Sequence, residues 1–200
     1  MKQIGLRART RRRFVPLTTD SRHHQPLALN LLDQRFAWKK PNRAWCADIS
    51  AIASEEGWLY LAVVMDLFSR RIVGWAMAED ARSELAMEAL QMAVRQRRPR
   101  KGLLHHSDRG VQYACHAYQQ LLQRWGMICS MSRRGNCYDN APMESFFGTL
   151  KRELVHQQHY LSREEARGSI FQYIEVFYNR KRRHSALGHL SPVAFEAADK

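Results

Sequence analysis

The chain has no apolar run as long as the roughly 18 to 20 residues a membrane span needs. Its basic start, residues 1–13 (MKQIGLRARTRRR), has none of the apolar stretch that a secretory signal carries. Cysteine is scarce. Cys46, Cys115, Cys129 and Cys137 form no CxxC pair, and His23-His24, His105-His106 and His156-x-x-His159 have no cysteine pair at zinc-finger spacing. Reduced, mostly buried thiols and no structural zinc are expected, in a soluble cytoplasmic protein. Internal repeats and low-complexity segments are also missing. Acidic residues are in short supply: 19 Asp and Glu stand against 32 Lys and Arg, a formal charge of +13. Such an excess favours polyanions, because each neutralised phosphate releases condensed counterions, and nucleic acid fits it better than anionic lipid.

What is present suits one domain of 200 residues, 45% hydrophobic, that can bury a core without disulfides or structural metal. Residues 1–40 read as a basic arm, where Lys2, Arg7, Arg9, Arg11, Arg12, Arg13 and Arg22 face only Asp20 and Asp33. Residues 41–197 read as the folded core. Short segments rich in aromatic and β-branched residues predict strands at 45–53, 58–67 and 71–77. A helix capped by Ser83 follows over 83–97, then a strand at 102–108, a helix at 116–125 and a strand at 127–131. The turn-rich stretch 132–140 precedes a helix at 141–154. Ser162 and Glu165 form a capping box for a last helix reaching about residue 178. The order β-β-β-α-β-α-β-α-α predicts an α/β, ribonuclease-H-like fold: a five-stranded mixed sheet flanked by helices.

Three acids stand out. Asp48 lies inside the first strand, where short polar side chains are depleted. Asp108 ends the fourth strand in HHSDRG, the end at which open α/β sheets build their sites. Glu144 begins a helix whose first turn holds Pro142 after Asn140. Thirty-five residues separate Asp108 from Glu144, and Lys151 follows Glu144 by seven, about 700° round and so on the same helix face. Gly148, one turn after Glu144, leaves room for a close approach. Three convergent carboxylates repel one another unless cations join them. Two Mg²⁺ ions suit an all-oxygen donor set, with Mn²⁺ as a substitute, and about 3.5–4 Å apart they serve phosphoryl chemistry. Each acid also has a plain structural reading: Asp108 can close a turn, Glu144 can complement a helix N-terminus, and Asp66, Asp139 and Glu153 are nearby competitors. Residue types and spacing leave both readings open.

The segments 105–113 (HHSDRGVQY), 130–153 (SMSRRGNCYDNAPMESFFGTLKRE) and 178–195 (YNRKRRHSALGHLSPVAF) resemble OrfB-type bacterial insertion-sequence transposases. So does the segment 45–75, with DIS, GWLYLAVVMDLFSR and IVGW in register. That family is related to retroviral integrases and has a D,D(35)E catalytic core. The resemblance runs from about residue 5 to 197. It implies that Asp48, Asp108 and Glu144 are the catalytic, metal-binding acids and that Lys151 contacts DNA beside them. It also implies a DNA transposase that cuts element ends and joins the freed 3′-hydroxyl to target DNA, through a circular intermediate and without a covalent protein–DNA bond. An upstream helix-turn-helix partner or fusion, an oligomer assembled on DNA and action at the bacterial nucleoid come with it. The segment 1–13 resembles the end of a further helical DNA-binding segment, so the resemblance implies a truncated copy, an internal start or a coding fragment.

Other basic residues are expected at DNA: Arg109 with Gln112 beside Asp108, Arg133 and Arg134 before the catalytic helix, and the run Arg180, Lys181, Arg182 and Arg183. His105 is expected to be structural and His106 to border the site. Two rival functions remain. A ribonuclease H acting on RNA–DNA hybrids fits poorly with a single late Glu and the 35-residue gap. A truncated, inactive copy that only binds DNA is the other.

Overall fold

The computed structural model describes residues 23 and 25–198, so most of the expected basic arm lies outside the described residues. Strands β1 (Ala44–Ser54), β2 (Gly57–Asp66) and β3 (Ile72–Ala78) form an antiparallel meander. Strands β4 (Leu104–Ser107) and β5 (Ile128–Met131) then join parallel to β1, giving the order β3-β2-β1-β4-β5. Helix α1 (Ser83–Arg97) joins β3 to β4, and helices α2 (Val111–Ala114) and α3 (His116–Arg124) join β4 to β5. Helices α4 (Ala141–Glu153), α5 (Arg163–Phe171) and α6 (Pro192–Ala198) follow β5. This is the five-stranded mixed sheet with flanking helices that the pattern predicts.

The side-chain alternation of β1 and β2 divides the core into two layers. Cys46, Ile52, Leu59, Leu61, Val63 and Met65 pack with Met143, Phe146 and Leu150 of α4 and Ile170 of α5. Their neighbours Trp45, Ala47, Ile49, Ala62 and Val64 pack on the other face with Leu85, Ala89, Leu90 and Ala93 of α1 and Tyr118 of α3. Helix α1 approaches β3 closely. A Cβ built on Gly74 would lie 2.2 Å from the Ala89 carbonyl oxygen, so only glycine fits there.

Several details depart from the sequence expectations. Ser83 is the first residue of α1 rather than its cap; Arg82 holds the cap position without a capping bond, its side chain pairing with Asp80, and the Ser83 hydroxyl donates to Glu84. Ser162 does cap α5, accepting from the Glu165 N–H, while the Glu165 carboxylate accepts from Leu161. The short α2 and the terminal α6 were not predicted, and α5 runs on into a π-helical segment over Gln172–Tyr178.

That segment delivers Asn179 to the edge of the sheet. The Asn179 side chain accepts from the Ile72 N–H at 2.9 Å and donates to the Ile72 carbonyl at 3.0 Å. Near the far end of β3, Arg167 donates to the Met77 carbonyl at 2.6 Å. No helix among the described residues is long and apolar enough to cross a membrane.

Candidate active site

Alternation decides where Asp48 points. It has the parity of Cys46 and Ile52, whose side chains belong to the layer under α4, while Ala47 and Ile49 face α1. In the parallel pairing, Cys46 of β1 stands beside His106 of β4. Continuing that register by two residues brings Asp48 level with Asp108, just past the end of β4. Pro142 and Met143 are buried in the first turn of α4, so the helix start is anchored and Glu144 is carried to the same opening.

The three acids line one cleft of about 640 Å³ with Arg109, Ser132, Arg134, Asn140, Gly148 and Lys151. Asp48 is half-buried and Glu144 exposed. Burial raises the Asp48 pKa well above the usual carboxylate range; the charges of Asp108 and Glu144 raise it further, against the opposing effects of the Ile49 N–H and Lys151. Backbone N–H groups hold two of the acids: Ile49 donates to Asp48 Oδ1 at 2.8 Å, and Gly110 donates to Asp108 Oδ1 at 2.9 Å. Burial lowers the pKa of Lys151, while Asp48 pulls it back up. No three His, Cys, Asp or Glu side chains among the described residues draw together into a finished metal cage. The acids share the cleft without closing on one point.

The neighbouring polar groups form a rigid floor. His106 is fully buried, its ring nitrogens 2.9 Å from Ser130 Oγ and 3.1 Å from Ser132 Oγ, so it supports the β4–β5 end rather than bordering the cleft. Burial pushes its pKa down to about 4. His105 is structural as expected, buried against the Tyr118 hydroxyl at 3.1 Å, with a pKa pushed down to about 3 by the same cause.

Several basic residues expected at DNA have protein partners, Arg133 and Arg109 while also lining the cleft. Arg133 binds Asp139 through two contacts, Nε to Oδ2 at 3.0 Å and Nη2 to Oδ1 at 2.8 Å, and shapes the loop that leads into α4. The Arg133 hydrogen bond is the main reason that the Asp139 pKa falls far below the usual range. Asp139, a competitor of the three acids in sequence, is fully buried and organises this loop, with Gln34 as a further donor. Arg182 is held by Glu153, and Gln112 is buried with its amide on the Ala81 carbonyl. Arg109 lines the cleft while its Nε donates to the Ser132 carbonyl. Arg180, Lys181 and Arg183 are exposed but do not line the cleft. Arg182 instead borders a second cavity, of about 340 Å³, against Ser145, Phe146 and Thr149 of α4. Arg134 is exposed at the cleft, and Gly148 has open space beside it, so the sheet makes no close approach there.

Residues 39–137 match the family described as integrase core domain, and residues 144–199 match a second family of the same description. The chain is 51% identical over 194 residues to the uncharacterized 31 kDa protein of insertion element IS600 from Shigella sonnei, covering 97% of this chain and 71% of that protein. It belongs to the insertion-sequence transposases with an integrase core. The transposase InsF of insertion sequence IS3A from Escherichia coli K12 is 47% identical over 196 residues, with 98% of this chain and 68% of that one covered. This membership makes the transposase a polynucleotidyl transferase by family.

The solved structures agree on the fold. The simian T-cell lymphotropic virus intasome, in complex with a PP2A regulatory subunit, superposes with a TM-score of 0.66 at 15% identity, over 90% of this chain and 61% of that one. The HTLV-2 integrase catalytic core domain in complex with magnesium gives 0.59 at 14% identity, over 78% and 97%. At that identity they speak for architecture alone, and the architecture is the ribonuclease-H-like one expected from the sequence.

Proposed function

We propose that Asp48, Asp108 and Glu144 are the catalytic, metal-binding acids of this transposase, which cuts at the ends of its element and joins the resulting 3′-hydroxyl to target DNA. One observation carries the reading: three carboxylates from β1, the end of β4 and the start of α4 line one cleft, and the charges of Asp108 and Glu144 make Asp48 harder to ionise. An arrangement that costs the folded chain electrostatic energy is what a cation site requires of its ligands before the cation arrives.

The donor set fits a hard divalent cation. It is all carboxylate oxygen, with no cysteine or histidine on the cleft lining. Mg²⁺, in a pair, is the ion this reading names, with Mn²⁺ able to replace it; when bound, such ions supply activation of an attacking hydroxyl and charge neutralisation at the leaving oxygen. The rest falls to the chain itself. Lys151 sits two turns from Glu144 on the same helix face and is positioned to hold a phosphate of the reacting strand. Gly148 keeps the space between them clear, and Arg134 offers an exposed cation at the rim. Residues 41–197 act as the catalytic core. Assembly on paired DNA ends, with an upstream helix-turn-helix partner, belongs to the same reading.

The decisive experiment incubates the protein with labelled element-end duplex and Mg²⁺ or Mn²⁺, comparing wild type with Asp108→Asn. Metal-dependent nicking and strand joining by wild type alone is the expected result. Equal products from both proteins would sink the assignment of the acids. Duplex binding by wild type with no product in either metal leaves a DNA-binding role alone.

A further inference from the structure

The cleft takes up only part of the positive charge. Residues 34–47 and 89–107 contain no Asp or Glu, and neither do residues 109–138. The fold brings parts of all three stretches to one end of the sheet, where β1 and β4 begin. The Arg43 carbonyl accepts from the Leu104 N–H at 2.9 Å, and Arg97 Nε donates to Asn42 Oδ1 at 2.9 Å. Gly102 donates to the Gly126 carbonyl at 2.7 Å, and the Lys101 side chain lies over Gly126. The start of β1, the end of α1, the start of β4 and the turn after α3 therefore meet.

Lys40, Arg43, Arg98, Arg100, Lys101 and Arg124 are all exposed at this end. None of the six has an ion-pair partner among the described residues. The carboxylates that do reach the end, Asp66 and Glu196, are held by Arg97 and Arg71. A helix C-terminus favours cations, which accounts for Arg98 after α1 but not for Arg43, Arg100 or Lys101. Six uncompensated cations on one face repel one another, and a polyanion relieves that repulsion while releasing its counterions. The carboxylate cleft lies farther along the same strands: Asp48 follows Arg43 by five residues, roughly 16 Å at the strand rise.

We propose that this end of the sheet is a second DNA-binding face, which holds the phosphate backbone of a duplex away from the strand that enters the carboxylate cleft. The proposal rests on the reading of the protein as a DNA transposase and adds a surface to it. The six groups are exposed cations, which pair with phosphate rather than read base edges, so the grip is independent of base sequence.

The test measures duplex binding by fluorescence anisotropy in chelator, across a salt titration, for wild type and the triple variant Arg98→Gln, Arg100→Gln, Lys101→Gln. Matching melting curves establish that the variant is folded. Neutralising three phosphate contacts should flatten the slope of log K against log salt by about 2.7 and weaken binding on the order of 100-fold at 0.1 M salt. Lys40 and Lys101 should also be protected from acetylation by bound duplex, and remain so in Arg134→Gln, which removes a cation at the cleft. An unchanged slope, with both lysines acetylated equally with and without duplex, overturns the second face and leaves the cleft reading standing. A wild-type protein that binds no duplex overturns both.

Discussion

The Arg97 guanidinium grips Glu196 through two hydrogen bonds, Nη1 to Oε2 at 2.8 Å and Nη2 to Oε1 at 2.7 Å, and so ties the last turn of α1 to α6. Arg71 and Ser69 add bonds to the same carboxylate, and Arg97 reaches the fully buried Asp66 at 3.3 Å. Glu196→Ala leaves Arg97 and Arg71 without that partner in a poorly solvated place. Removing one member of a buried pair costs about 3–5 kcal/mol, and the partial exposure here puts the expected loss near the lower end, about 3 kcal/mol. Urea denaturation measures it. A loss under about 1 kcal/mol means that the network is loose in solution.

Asp48 makes the opposite prediction. Its folded-state pKa is raised, so its contribution to stability is fully present below the unfolded pKa and is lost as pH rises through the folded value. At neutral pH burial of this carboxyl works against folding, whether it keeps its charge or takes up a proton. Asp48→Asn should therefore stabilise the metal-free protein by about 1 kcal/mol or more while abolishing strand cleavage. Thermal melts in chelator check the first part. In parallel melts without chelator, Mg²⁺ should raise the midpoint of wild type and leave the variant unmoved.

His105 sets a pH dependence that can be isolated. Burial depresses its pKa to about 3, so the folded chain keeps it neutral while the unfolded chain protonates it near 6.5. The stability it contributes is complete above the unfolded value and drains away as pH falls from about 6.5 towards 3, at up to about 1.4 kcal/mol per pH unit. His105→Gln should flatten the profile in that window by one proton's worth. Urea midpoints at pH 7, 5.5 and 4.5 give the slope, and parallel profiles for the two proteins refute the assignment.

Arg133 and Arg134 are adjacent in sequence and should behave differently. Arg133 is committed to Asp139, so Arg133→Gln is expected to disorder the loop before α4 and lower kcat far more than duplex affinity. Arg134 faces the cleft and is exposed, so Arg134→Gln should weaken duplex binding and reduce the salt slope by about one, with the melting point unchanged. Identical effects of the two substitutions on binding would contradict this division of labour.

These cases mark what the sequence could and could not convey. The strands were legible because β1 and β2 are short segments rich in aromatic and β-branched residues; the face to which Asp48 turns was not, because both faces of β1 are buried. The Ser162 cap was legible because both partners sit within one turn, although the Glu165 carboxylate takes the Leu161 N–H rather than that of Ser162. Long-range partners were not. Arg182 reads as one more cation in a basic run until Glu153, 29 residues earlier, is seen to hold it, and Gln112 reads as a companion of Arg109 at DNA until Ala81 takes its amide. The short α2 was missed, and the π-helical winding of Gln172–Tyr178, within a span read as helix, was not visible in local periodicity. The acids themselves were found by spacing and resemblance. Their arrangement around an open cleft, rather than in a closed cluster, is set by backbone donors that the sequence does not display.

The clasp of Asn179 on Ile72 has a consequence for how these molecules behave in a crowd. β3 is the outer strand of the sheet, and an open outer strand invites a stranger's strand to add to it. Asn179 occupies both the N–H and the carbonyl of Ile72, while Arg167 occupies the carbonyl of Met77, so a newcomer finds its first and nearly its last bonding places taken. Asn179→Ala reopens the first of them, and the expected symptom is a protein that still folds but clumps on concentration.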